Sequence, residues 1–313
     1  MTAMTLLRSP LLLALAWLAL ISGCARLPGP GVTSLKPVNL GELQSYLLAH
    51  KADVDQFRLR GPFAVAVQKD HEVRVSASEL FKADLYLSAP AEKAPLVILL
   101  HGHDNTKEDH AYQALHLATW GIHCLALQLP NQGPWVANGR ILAKIVQAIR
   151  SRPEMIDGRI DVNRIILAGH SYGAAAVTIA LAEGAPAAGG VLLDPAGVAK
   201  ELTKFLRQLD KPVMVIAADD KIVRVRGRDL FYELVRSGIV EVSVRDAHHD
   251  DGEFPLEPAP GSDSSATEEH QVTFVSVLTS AAFSLGVTGK LDYAWTSLVD
   301  AIKNGKLFDA LRK

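Results

Sequence analysis

From residue 96 onward the chain alternates between two patterns. Runs at 96–100, 122–127, 165–168, 190–193 and 213–217 are apolar at nearly every position. Such runs suit strands covered on both faces. Between them, apolar residues recur at helical spacing over 108–120, 138–150, from 174 onward, 199–209 and 227–237. Within 138–150, Ile141, Leu142, Ile145, Val146 and Ile149 share one face. Upstream, Leu40, Leu43 and Leu47 predict a helix over 40–50, and the alternation in 63–67 and 73–87 predicts an antiparallel pair. The run 240–244 reads as the last strand, followed from Glu268 by two helical patterns that finish the chain. Alternation of this kind, with no linker inside it, implies one α/β domain with a mainly parallel central sheet and helices on both faces. The stretch from Asp194 to Pro212 has room for one helix, so no large cap domain is expected.

The first residues follow a different logic. After Arg8, residues 11–20 form a short apolar run ending in Ile21-Ser22-Gly23-Cys24. It has the length of a signal peptide and is too short for a comfortable membrane span. The ending resembles a bacterial lipobox, in which the cysteine sulfur takes the lipid. By that resemblance residues 1–23 are a lipoprotein signal peptide and Cys24 carries acyl chains such as palmitate. Residues 24–58 are then a tether and N-terminal segment, and 59–313 the α/β domain. Ala25 would permit outer-membrane sorting, which places the protein in the bacterial cell envelope, facing the periplasm or the surface. The membrane is then a partner through the anchor.

Composition narrows the classes further. The 313 residues are 49% hydrophobic and 21% charged, with a net charge of -2. No basic excess points to nucleic acid. The two cysteines, Cys24 and Cys124, stand a hundred positions apart, so neither a disulfide scaffold nor a zinc motif is indicated. Cys124 lies in an apolar run and reads as a buried, inert thiol. No cofactor is expected. A metal bound by His101, His103, Asp104 and His110 is conceivable, but neutral loop histidines are the better reading, so no metal is expected.

The chemistry concentrates in Gly169-His170-Ser171-Tyr172-Gly173, which joins the strand at 165–168 to a helix of small residues. Gly-X-Ser-X-Gly between strand and helix holds a serine on a tight turn, its hydroxyl raised at the sheet edge. Serine needs a base, and the base needs an orienting carboxylate. Both should lie at carboxyl ends of later strands. Asp220 is the first choice of acid, with Asp194 the alternative and Asp219 a third candidate. His249 is preferred as base over its neighbour His248, because Asp251 follows two residues later. The oxyanion donors are expected to be the backbone N–H groups of Tyr172 and of His103, in the loop after 96–100. The polar stretch 250–267 reads as a surface excursion, with a flap beside the site as the alternative.

Four segments in this order, Leu99-Leu100-His101-Gly102-His103, the Ser171 pentapeptide, Ala218-Asp219-Asp220-Lys221-Ile222-Val223 and Ala247-His248-His249-Asp250-Asp251, resemble the α/β-hydrolase superfamily. Within it the chain is similar to the dienelactone-hydrolase-like, chlorophyllase and polyester-hydrolase group of serine esterases. The resemblance covers about 62–285. Dienelactone hydrolases proper use a cysteine nucleophile where this chain has Ser171, and polyester hydrolases have a second glycine where it has Ala174. Leu193-Asp194-Pro195 looks like the post-strand acid of chlorophyllases and some lipases. The resemblance implies a serine hydrolase that cleaves small-molecule or polymeric carboxylic esters through an acyl-enzyme. A peptidase or amidase on the same fold, or a catalytically silent binding lipoprotein, are the alternatives.

Overall fold

The computed structural model describes residues 39–89, 92–129, 135–196, 199–220, 229–257 and 266–313. The expected signal peptide and Cys24 lie outside them, as do 221–228 and the middle of the polar stretch after residue 250.

Among the described residues nine strands form one sheet: β1 (Val65–Arg74), β2 (Leu80–Ser88), β3 (Ala94–Leu100), β4 (His123–Leu127), β5 (Ile160–His170), β6 (Gly189–Leu193), β7 (Val213–Ala217), β8 (Ile239–Val244) and β9 (Leu307–Arg312). Their order across the sheet is β1-β2-β4-β3-β5-β6-β7-β8-β9. From β4 to β8 all neighbours are parallel, while β1, β2 and β9 join antiparallel at the edges. The strand expected at 240–244 is therefore not the last. After two short helices the chain returns along β8 as β9, turning at Gly305 with φ of 74°.

Period-two alternation sorts the central strands' side chains into two cores. In β3, Leu96, Ile98 and Leu100 join one cluster, and Val97 and Leu99 the other. The first cluster is closed by α3 (Trp135–Ser151), α4 (Tyr172–Ala182) and α5 (Ala199–Leu206). The second is closed by α2 (Ala111–Thr119) and a long helix, Glu268–Thr288. That helix is long and apolar enough to cross a membrane by composition, yet 78% of its apolar stretch is buried within the fold. Among the described residues a single helix, α5, lies between β6 and β7.

Residues 39–58, expected within the tether and N-terminal segment, pack on this same unit. After α1 (Leu40–Ala49), a 3-10 turn at Val54–Arg58 sets Phe57 with no exposure against Trp120 and Phe283. The Cys124 thiol is buried and free, and burial pushes its pKa up, away from thiolate chemistry.

Candidate active site

The turn between β5 and α4 is possible because its flanking residues have no side chain. A Cβ at Gly169 would lie 2.6 Å from the Gly173 carbonyl carbon, and one at Gly173 2.4 Å from the His101 carbonyl oxygen. Ser171 adopts φ 53° and ψ −118°, a conformation an L-residue keeps only where its surroundings enforce it. Asp104 (φ 60°) and Asp194 (φ 34°) also take positive φ, on the loops after β3 and β6. Backbone strain is thus concentrated at the carboxyl edge of the sheet.

Two backbone contacts bring β6 and the serine together. The Ser171 N–H donates to the Leu193 carbonyl (3.0 Å), and the Ala196 N–H to the Ser171 carbonyl (3.2 Å). Asp194, between Leu193 and Ala196, is fully buried. Its Oδ1 accepts from the Ala218 N–H (2.9 Å), and its Oδ2 lies 2.5 Å from His249 Nδ1. His249 begins a 3-10 turn, His249–Gly252, in the loop after β8. Burial pulls the His249 imidazole pKa down. The hydrogen bond and charge of Asp194, with the charges of Asp250 and Glu253, outweigh that and hold it above the ordinary histidine value.

The two residues expected to supply oxyanion donors lie on segments next to Ser171. Tyr172 is the first residue of α4, so its N–H precedes the first acceptor the helix provides. The loop after β3 passes beside the serine, since a Cβ built on Gly102 would lie 3.2 Å from Ser171 Cβ. His103 follows, its ring 5.6 Å from that of Tyr172 and 5.8 Å from that of Trp135. Trp135 and Tyr172 themselves stack at 3.9 Å with planes 4° apart, forming an aromatic wall. Among the described residues the Ser171 hydroxyl makes no hydrogen bond, His249 included.

A family model described as "Alpha/beta hydrolase family" matches residues 97–300, more than half of the chain. The chain belongs to the alpha/beta hydrolase family. A search of curated proteins found no match.

In this α/β hydrolase the two leading acid candidates stand differently toward His249. Asp220 sits half-buried in the loop after β7, but the carboxylate on His249 Nδ1 is that of Asp194. Asp219 has a bracing role: its Oδ2 accepts from the Asp246 N–H (3.1 Å), joining the loops after β7 and β8. His248 is exposed, and its backbone N–H caps onto Asp251 (2.7 Å). Asp251, fully buried, also accepts from the Thr267 N–H (2.6 Å), so it closes the loop rather than serving His249.

The four-residue metal arrangement is not assembled. His101 donates from Nδ1 to the Gly102 carbonyl (2.8 Å) and accepts at Nε2 from the Leu129 N–H (3.0 Å), which occupies both ring nitrogens. His103 is exposed and pairs with Asp104 instead.

Sequence reasoning missed His170, Glu253 and Trp135. His170 is buried beneath His249, with ring centroids 4.5 Å apart and its Nε2 2.9 Å from the His249 carbonyl oxygen. Glu253 meets His170 Nδ1 at 2.9 Å from within the stretch read as a surface excursion. Only the contacts reveal these roles, because a histidine inside the pentapeptide and a glutamate in a polar loop carry no spacing signal. A cavity of about 590 Å³ lined by Val75, Lys144, Arg152 and Glu183 contains none of these site residues, so volume alone does not mark the site.

Proposed function

We propose that this α/β hydrolase is a lipid-anchored serine esterase of the bacterial envelope, acting on carboxylic esters through an acyl-enzyme. The observation that carries the reading is the 2.5 Å contact between Asp194 Oδ2 and His249 Nδ1, beside a serine held at φ 53°. Asp194 keeps the proton on His249 Nδ1, leaving Nε2 as the base. In the proposed reaction Ser171 Oγ attacks the ester carbonyl and His249 Nε2 takes the hydroxyl proton. The negative oxygen is received by the backbone N–H groups of Tyr172 and His103. When the intermediate collapses, the ester C–O bond breaks and His249 returns the proton to the departing alcohol. Water then attacks the acyl-serine by the same path, releasing acid and free enzyme. The serine–histidine bond is often long without substrate and closes in the complex.

The absence of a multi-helix insertion between β6 and β7 among the described residues supports bulky or polymeric esters. The wall of Trp135 and Tyr172 supports acyl groups with an apolar or aromatic face. The test is turnover of p-nitrophenyl acetate and butyrate, alongside a p-nitroanilide of the same acyl group, by the protein and by Ser171→Ala. Ester turnover lost by at least about 10³-fold in the variant is expected. Amide turnover matching ester turnover would make it an amidase. Absence of both activities and of fluorophosphonate labelling would leave a silent scaffold.

A further inference from the structure

Beneath the His249 turn, three side chains turn unprotonated donor atoms toward one another, and the hydrogen bonds around them fix which atoms these are. Gln113 Nε2 donates to the Gly252 carbonyl (3.0 Å), so Gln113 Oε1 is the atom facing His110 Nδ1, and that nitrogen carries the ring proton. His110 Nε2 is then a bare lone pair. It is buried and has no hydrogen-bond partner. His170 Nε2 lies 2.9 Å from the His249 carbonyl oxygen, which can only accept, so the proton of His170 sits there and Nδ1 is bare. That Nδ1 faces Glu253 Oε1 at 2.9 Å, and the same oxygen accepts from the Asn105 amide. A ring nitrogen of His110, a ring nitrogen of His170 and a Glu253 carboxylate oxygen all lie within 4.8 Å of one another.

Lone pairs collected in a buried space are destabilising until a proton donor or a cation meets them. A single proton would relieve the His170–Glu253 contact but leave His110 Nε2 orphaned. A divalent cation satisfies all three. The geometry points to a zinc-type metal site formed by His110 Nε2, His170 Nδ1 and the Glu253 carboxylate. The surroundings have the character of a second shell, since each histidine gives its other N–H to a carbonyl oxygen, which sets tautomer and ring orientation. Two imidazoles and one carboxylate are a donor set that Zn²⁺ accepts with a fourth position left for water. Closing bonds of about 2.0–2.2 Å needs a side-chain adjustment on the order of 1 Å. Space exists because residue 102 is glycine: a Cβ there would lie 3.2 Å from His170 Nδ1 and 3.7 Å from Glu253 Oε1. Such an ion would tie the residue preceding α2, the end of β5 and the His249 loop together. It stands apart from the ester reading, because its readout is metal binding.

The experiment uses the full chain, stripped with EDTA and titrated with ZnCl₂ or CoCl₂. One equivalent of Zn²⁺ should bind, the melting temperature should rise in Zn²⁺ over EDTA, and Co²⁺ should give the visible bands of a low-coordinate nitrogen and oxygen site. Glu253→Gln keeps an acceptor for Asn105 while removing the charged ligand, and should weaken Zn²⁺ binding by at least about 100-fold. His110→Ala should abolish the Co²⁺ bands. The proposal is overturned if wild type binds no stoichiometric metal and melts alike in Zn²⁺ and EDTA, which would mean a shared proton only. Equal affinity in the folded Glu253→Gln variant would also overturn it.

Discussion

Asp194 has a φ of 34° and no solvent exposure, and both follow from what its carboxylate holds. One oxygen takes the Ala218 N–H and the other takes His249, so the residue joins the ends of β6 and β7 to the loop after β8. Replacing it by asparagine presents an amide where His249 Nδ1 needs an acceptor. Asp194→Asn should therefore lower kcat by about 10³- to 10⁴-fold, against less than about tenfold for Asp220→Asn, when both are assayed on p-nitrophenyl butyrate. The reverse ranking would favour Asp220 as the acid. The sequence places both aspartates after apolar strands and cannot choose between them. Adjacency is what favours Asp194 in the proposed reaction: β6 lies next to β5 in the sheet, and its end is bonded to Ser171 itself.

At the scale of elements, the elbow was legible and its neighbours less so. Glycines on either side of a serine announce a close approach, and the structure supplies the atoms approached, the Gly173 backbone against Gly169 and the His101 carbonyl against Gly173. A methyl group at 173 would sit 2.4 Å from that backbone oxygen, so the elbow and the loop after β3 would have to separate. Gly173→Ala should destabilise the fold by about 3 kcal/mol or more and abolish the proposed ester turnover, read by urea denaturation and a turnover assay. A folded variant of unchanged midpoint would show that the elbow is not held as tightly as described. β9 escaped the sequence reading for a physical reason. As an edge strand it buries Leu307 alone among its residues, and its partly exposed alternation is too weak to separate from the helices before it. Only β8, with an unpaired side in need of a partner, reveals it.

Across the whole molecule, burial of histidines sets the response to acid. His116 and His123 have no exposure, and burial lowers the pKa of each to about 4 from 6.5. Between those values the unfolded chain binds protons that the folded one refuses. Stability is thus full above about pH 6.5 and declines as pH falls toward 4, by up to roughly 3 kcal/mol for each histidine. Urea midpoints should fall between pH 8 and pH 5, and His123→Asn, which keeps an acceptor for the Ser88 N–H, should fall less. Identical slopes for variant and wild type would remove His123 from the account. The proposed anchor also belongs to this scale: Cys24→Ala should move the protein from the membrane fraction to the soluble one. Unchanged fractionation would discard the lipoprotein reading.

The layered α/β architecture, the tight strand-to-helix turn at Ser171 and the order of the loops around it were determined by the sequence alone. They rest on local signals: apolar periodicity, which follows from strand and helix geometry, and glycine at positions where no Cβ fits. What the tertiary structure decided is which carboxylate meets His249, that β9 closes the sheet, and that His110, His170 and Glu253 converge. These residues are far apart in the chain, and their side chains meet only because of strand order, register and burial.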